Sequence, residues 1–282
     1  MRVLIAIGLL PALLGSCPSS AQDGYKLSKP DKRYELPDRL TEISGLTYLG
    51  SKEIACIQDE KGNLYRFDLK KEDADKWCDF GEDGDYEALE YVDGIAYVLR
   101  SDGALYRISN PGSESESVEY QKSPIKKGYD LEGLGYDPAE NRLLIATKSL
   151  PGEAGAKMDD EGIREIFAYD LQEQEWVEKP ALRIDLGKIN RALEKRGNKD
   201  IKFRPSALAV HPITNEFYIL SSVGNQLLVF DRKGRLSEQH NLKKELFRQP
   251  EGICFDSDGD LYISNEGRSK KAYILRFEYR ED

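Results

Sequence analysis

From residue 32 onward, short apolar runs alternate with polar turns, and three kinds of run recur in a fixed order. The first kind is Leu46–Tyr48, Leu89–Tyr91, Leu134–Tyr136, Leu208–Val210 and Ile253–Phe255. The second is Glu53–Gln58, Ile95–Arg100, Arg142–Thr147, Glu216–Leu220 and Asp260–Ser264. The third is Asn63–Leu69, Ala104–Ile108, Glu165–Leu171, Gln226–Asp231 and Ala272–Glu278. Tyr, Ile, Leu, Val and Phe between turns of Gly, Asp and Asn predict strands.

Each unit opens on a related tetrapeptide: Glu42–Gly45, Asp85–Ala88, Asp130–Gly133, Arg204–Ala207 and Gln249–Gly252. Their last residues stand 43, 45, 74 and 45 positions apart. A strand-rich repeat near 45 residues predicts an all-β fold, a five-bladed β-propeller. One small sheet cannot hide both faces, so each blade packs on its neighbours around an axis. The long interval holds a Gly-, Asp- and Glu-rich insert at Pro151–Gly162 and a short helical pattern within Gly187–Lys199. Six blades is the alternative. Only 30 residues follow Gly252, enough for three strands. Lys32–Leu36 is then expected to add the fourth and close the ring, removing its free edges.

The N-terminus reads as a targeting segment. Arg2 precedes an apolar run of 12 residues, Val3–Leu14, too short to span a bilayer but suited to a signal sequence. Leu14-Gly15-Ser16-Cys17 resembles a bacterial lipobox, with Cys17 lipidated, while Ser19-Ser20-Ala21 offers ordinary cleavage. The expected organisation is a signal segment over 1–21, with lipoprotein cleavage before Cys17. A linker over 22–31 and one propeller domain over 32–282 follow. The expected address is the cell envelope, membrane-attached only through the lipid; a soluble periplasmic or secreted protein is the alternative. Net charge is −10 with pI near 5.0, which argues against nucleic acid as a partner. Cys56, Cys78 and Cys254 read as buried thiols, with a disulfide as the alternative, and lack zinc-site spacing.

The lipobox-like start and the strings Ile43-Ser44-Gly45-Leu46, Asp130-Leu131-Glu132-Gly133-Leu134 and Gln249-Pro250-Glu251-Gly252-Ile253 resemble the SdiA-regulated (YjiK-like) bacterial propellers. More loosely, the chain is similar to NHL-repeat and gluconolactonase-type propellers and to esterase-like phytases. The resemblance covers nearly all of the mature chain. It implies an envelope propeller without a well-defined activity.

Motifs that open the innermost strands must gather at one mouth of the central channel. The residue before each motif's end is Ser44, Glu87, Glu132, Ser206 or Glu251. Two positions earlier stand Glu42, Asp85, Asp130, Arg204 and Gln249. Residues two apart share a strand face, so six carboxylates are expected around one opening, with Arg204 as a cation in register. Crowded carboxylates need compensation, and a hard cation such as Ca²⁺ takes six to eight oxygen ligands. Glu87, Glu132 and Glu251, with Asp130, Asp85 and Glu42, are therefore the candidate calcium ligands. Hydrogen bonds that simply fix the ring are the structural alternative. Arg100, Lys148 and Asn265, at the ends of second strands, join Arg204 as candidates for contacting a ligand at the mouth. Arg100 and Lys148 are expected chiefly to pair with the carboxylates.

Asp256–Asp260 looks like the opening of an EF-hand but lacks Gly at its sixth position and reads as a hairpin turn. His211 and His240 are the two histidines, which gives little support to a catalytic triad or a zinc centre. The functional expectation is a monomeric, non-catalytic envelope protein that binds a small molecule or an envelope protein. The alternative is a metal-dependent hydrolase, lactonase- or phosphoesterase-like, with Glu132 or Glu251 as base.

Overall fold

A computed structural model describes residues 24–125, 129–149, 162–194 and 201–280. The signal segment, Cys17 and most of the Pro151–Gly162 insert lie outside the described residues. Strand β1 (Lys32–Glu35) comes first. The first blade is β2 (Ile43–Gly50), β3 (Glu53–Gln58), β4 (Asn63–Asp68) and β5 (Asp73–Asp79). The second is β6 (Tyr86–Val92), β7 (Ile95–Arg100), β8 (Ala104–Ser109) and β9 (Ser117–Lys122). The third is β10 (Asp130–Asp137), β11 (Arg142–Ser149), β12 (Ile163–Asp170) and β13 (Glu175–Asp185). The fourth is β14 (Ala207–Val210), β15 (Phe217–Ser221), β16 (Gln226–Phe230) and β17 (Leu236–Asn241).

The last blade holds β18 (Pro250–Phe255), β19 (Leu261–Asn265) and β20 (Tyr273–Phe277), and β1 completes it in the order β1-β20-β19-β18. Lys32 pairs with Arg276 and Glu35 with Tyr273, antiparallel. Five four-stranded sheets make a five-bladed propeller closed by the N-terminal strand. The long interval is not a sixth blade. It is absorbed by the insert, by the 11-residue β13 and by helix α1 (Leu186–Glu194), which buries Leu186 and Leu193 beside Ile201 and Phe203.

The core lies between blades. Inner strands are covered on both faces, so their burial is nearly continuous rather than alternating. Glycine at the end of a motif permits the close approach this requires. A Cβ on Gly45 would stand 2.7 Å from the backbone nitrogen of Leu89 in the next blade. One on Gly252 would stand 2.3 Å from the Leu46 side chain. Polar groups between blades also stitch the ring. Glu90 accepts hydrogen bonds from Thr47 Oγ1 (2.5 Å) in the first blade and from the Tyr136 amide (3.0 Å) in the third.

Residues 24–31, read from sequence as a linker, carry Tyr25 into the seam between the fourth and fifth blades. Gly24 bridges Arg280, and Tyr25 is buried among Tyr218, Phe255 and Tyr279. Its hydroxyl lies 2.8 Å from His211 Nε2 and donates to the Gly259 carbonyl. His211 Nδ1 accepts from the amides of Ile213 and Thr214, so the imidazole proton sits on Nε2. Burial pushes His211 down to about 4 and keeps it neutral. Asp256 Oδ1 accepts from the amides of Asp258 and Asp260, a hairpin turn, and Cys56, Cys78 and Cys254 are free and buried.

Candidate functional site at the channel mouth

Strand register brings the motif residues to one end of the channel, with one departure from the expected geometry. Pairing skips a residue between Ile43 and Gly45, Tyr86 and Ala88, Leu131 and Gly133, and Pro250 and Gly252. Ser44, Glu87, Glu132 and Glu251 are thus bulged residues, and a bulge re-aims its side chain. The simple two-residue alternation expected from sequence is broken there. Asp85 is exposed and Asp130 half-buried, flanking the bulged acids rather than lying in line with them.

Glu87, Glu132 and Glu251 converge around Lys148. The Lys148 ammonium, from the end of β11, donates to Glu132 Oε1, and Glu132 is only 4% exposed. Burial raises Glu132 above the usual carboxylate range; Lys148 opposes that, while Glu251 and Asp130 add to it. Burial, then Glu132 and Asp85, push Glu87 up as well. Burial raises Glu251 to about 7, against a hydrogen bond from Gln249 and the charge of Lys148. Burial alone would lower Lys148, but Glu132, Asp130 and Glu251 outweigh it, so the ammonium stays charged.

A second acidic group faces this one across the seam between the last and first blades. Asp59, just beyond the end of β3, is raised to about 6 by burial and by Glu42, Glu266 and Glu60. Gln249 connects the two groups, because its amide donates to Glu266 and also reaches Glu251. Several oxygens around the motifs are buried without a hydrogen-bond partner: Ser44 Oγ, Asp59 Oδ1, Gln249 Oε1, Ser264 Oγ and Asn265 Oδ1. Asn265 and Ser264 are fully buried. Such atoms are costly unless water or a ligand satisfies them.

The cations expected at the mouth divide. Lys148 pairs with Glu132. Arg100 grips Asp102 rather than a motif carboxylate, through Nε and Nη2 at 2.9 Å each, with Nη1 on the Tyr106 hydroxyl. Arg204 forms no ion pair with the carboxylates among the described residues; its amide donates to Ser221 Oγ and its Nε is buried without a partner. Ser206 Oγ donates to the Pro250 carbonyl, a blade-to-blade link. Glu266 was missed by the motif comparison because it lies one residue beyond the end of β19, outside the repeated strings.

The donor set is hard oxygen, which suits a calcium-type cation in kind. Among the described residues, however, no three His, Cys, Asp or Glu side chains converge closely enough to hold a metal ion. The positive charge near Glu87, Glu132 and Glu251 is supplied by Lys148, so a cation would require these carboxylates to turn toward it.

Solved structures share this fold at low sequence identity. A PQQ-bound aldose sugar dehydrogenase from Streptomyces coelicolor matches with TM-score 0.54 and 11% identity, over 89% of this chain and 98% of that one. A calcium-binding protein, regucalcin, from Agrobacterium tumefaciens str. C58 matches with TM-score 0.52 and 11% identity, over 92% and 95%. A luciferin-regenerating enzyme matches with TM-score 0.51 and 11% identity, over 89% and 95%. At such identities the likeness is one of fold, which many unrelated activities share. No curated protein matches in sequence. No helix among the described residues is long and apolar enough to cross a membrane. The sequence itself is more specific: residues 22–269 match the SdiA-regulated family, and the chain belongs to it.

Proposed function

We propose that the protein is an exported, lipid-anchored and non-catalytic binding protein whose channel mouth receives a cationic ligand. One observation carries this reading. Acidic side chains from four blades crowd the mouth, and Glu87, Glu132, Glu251 and Asp59 are all raised, first by burial and then by neighbouring carboxylates. Such a site holds protons because the single ammonium of Lys148 does not balance its carboxylates. A cation that enters it displaces protons and relieves the repulsion. Calcium is the simplest ligand of this kind, and an organic ammonium is the other.

Thermal melts with Ca²⁺, with spermidine and with a chelator, each at pH 6 and pH 8, test the reading. A cation should raise the melting temperature more at pH 8, where fewer protons compete, and Glu87→Gln should reduce the gain. No shift from either cation at either pH overturns the proposal.

A hydrolase is the second reading, favoured by Glu251 alone. A buried carboxylate at about 7 is poised to exchange a proton near neutral pH. Ester, lactone and phosphoester substrates with Ca²⁺, Mg²⁺ or Mn²⁺ would reveal it. Turnover lost in both Glu251→Gln and Glu132→Gln would replace the binding reading.

A further inference from the structure

We infer that Tyr25 fixes how the propeller stands on a lipid bilayer, with the turn face toward the lipid and the acidic mouth pointing away. The inference rests on the proposed lipidation of Cys17.

The face is set by strand direction. The motifs open the inner strands, so the mouth lies at their N-terminal ends. His211 follows the last residue of β14, and Gly259 lies in the turn after β18. Both therefore belong to the opposite face, and the Tyr25 hydroxyl reaches both. Arg280, which follows β20, is on that face too, and its amide donates to the Gly24 carbonyl at 3.0 Å. Asp31 ties down the other end of the segment, accepting from the Glu278 amide at 2.9 Å and pairing with Arg280. The chain is thus held to the turn face from Gly24 to Asp31 before it enters β1.

Length does the rest. Six residues, Pro18–Asp23, separate Cys17 from Gly24. Fully extended, that connection spans at most about 25 Å. The inner strands are themselves roughly 20–25 Å deep in the longer blades, so the mouth lies about that much farther out. With Tyr25 docked, turning the disk over would take the whole extended length of that connection merely to span the depth of the blades, so the slack tether keeps the turn face toward the bilayer. With Tyr25 and the adjoining Gly24–Arg280 pair released, the free tether would run to Asp31 and nearly double, to roughly 45–50 Å, enough to allow it. Ile213, beside Gly259 on this face, is 44% exposed, an apolar side chain placed to meet lipid.

The test uses the full chain, purified from membranes with its own leader and reconstituted in phosphatidylethanolamine–phosphatidylglycerol vesicles carrying a headgroup energy acceptor. A fluorophore is placed on Ile213→Cys at the turn face or on Lys270→Cys at the mouth; the native described cysteines are buried. Transfer from the Ile213 position should exceed that from Lys270 severalfold. Tyr25→Ala should collapse the difference. A Gly-Ser spacer of about 20 residues between Ala21 and Gln22 should do the same while leaving the docked tyrosine intact. Lipidated protein with equal transfer at both positions, or a difference that survives the spacer, overturns the inference alone. An unmodified Cys17 by intact mass overturns it together with the anchoring reading.

Discussion

Arg232 grips both carboxylate oxygens of Asp137 across the seam between the third and fourth blades, at 2.7 and 2.9 Å. Asp137 is fully buried, and Arg142 of its own blade holds it from the other side at 3.1 Å. Arg232→Ala leaves that buried carboxylate with one partner. The expected loss is about 2–3 kcal/mol, read by urea denaturation, because an uncompensated buried charge costs more than the pair contributes. The double variant Asp137→Asn with Arg232→Met should lose less than the single one.

Glu90 presents the same logic with neutral donors. Thr47 Oγ1 and the amides of Tyr91 and Tyr136 all point at its carboxylate, so three blades meet there. Glu90→Ala should cost about 2–4 kcal/mol by leaving buried donors unmade, and Thr47→Val about 1 kcal/mol. Equal denaturation midpoints for Glu90→Ala and the parent would contradict this packing.

The mouth acids make stability depend on pH in an unusual direction. Folding raises Asp59 from 3.8 to about 6 and Glu251 from 4.5 to about 7. Both bind protons more tightly folded than unfolded. Their contribution is full below the unfolded values and is lost as pH rises through about 6 to 7. Melting temperature should therefore climb as pH falls from 8 toward 5, and Glu251→Gln should flatten that slope.

Lys148 limits the penalty at the alkaline end. Lys148→Met removes the ammonium beside Glu132 while keeping most of the apolar stem. The variant should lose about 2–4 kcal/mol at pH 8 and much less at pH 5, where the carboxylates can be neutral. A loss independent of pH would mean that the stem, not the charge, matters.

The blades were legible because the five motifs recur at blade spacing and the turn residues between them are unambiguous. Closure by β1 was legible from the shortage of chain after Gly252. The site was legible in part. The register of Glu87, Glu132 and Glu251 places them at one mouth, but their bulges depend on how strands pair, which alternation alone does not reveal. Arg100 was expected to pair with the motif carboxylates, and its partner is instead Asp102, in the turn just beyond the strand. Glu90 looks like an outward polar position within its strand and becomes half-buried, with its carboxylate between blades, only because blades cover both faces. Tyr25 and His211 are 186 residues apart, and nothing local in either sequence announces the other.

The pairing of Lys32–Glu35 with Tyr273–Arg276 also imposes an order of events on biogenesis. The strand synthesised first must wait, unpaired, for the strand synthesised last. Until β20 arrives, the ring has two sticky ends, and contacts so distant in sequence make the final step slow to find. A chain cut short before β20 loses the partner of its first strand as well as its own last one. It is left open to proteases and to edge-to-edge association. Arrival of β20 is thus the step that converts an open row of blades into a closed ring.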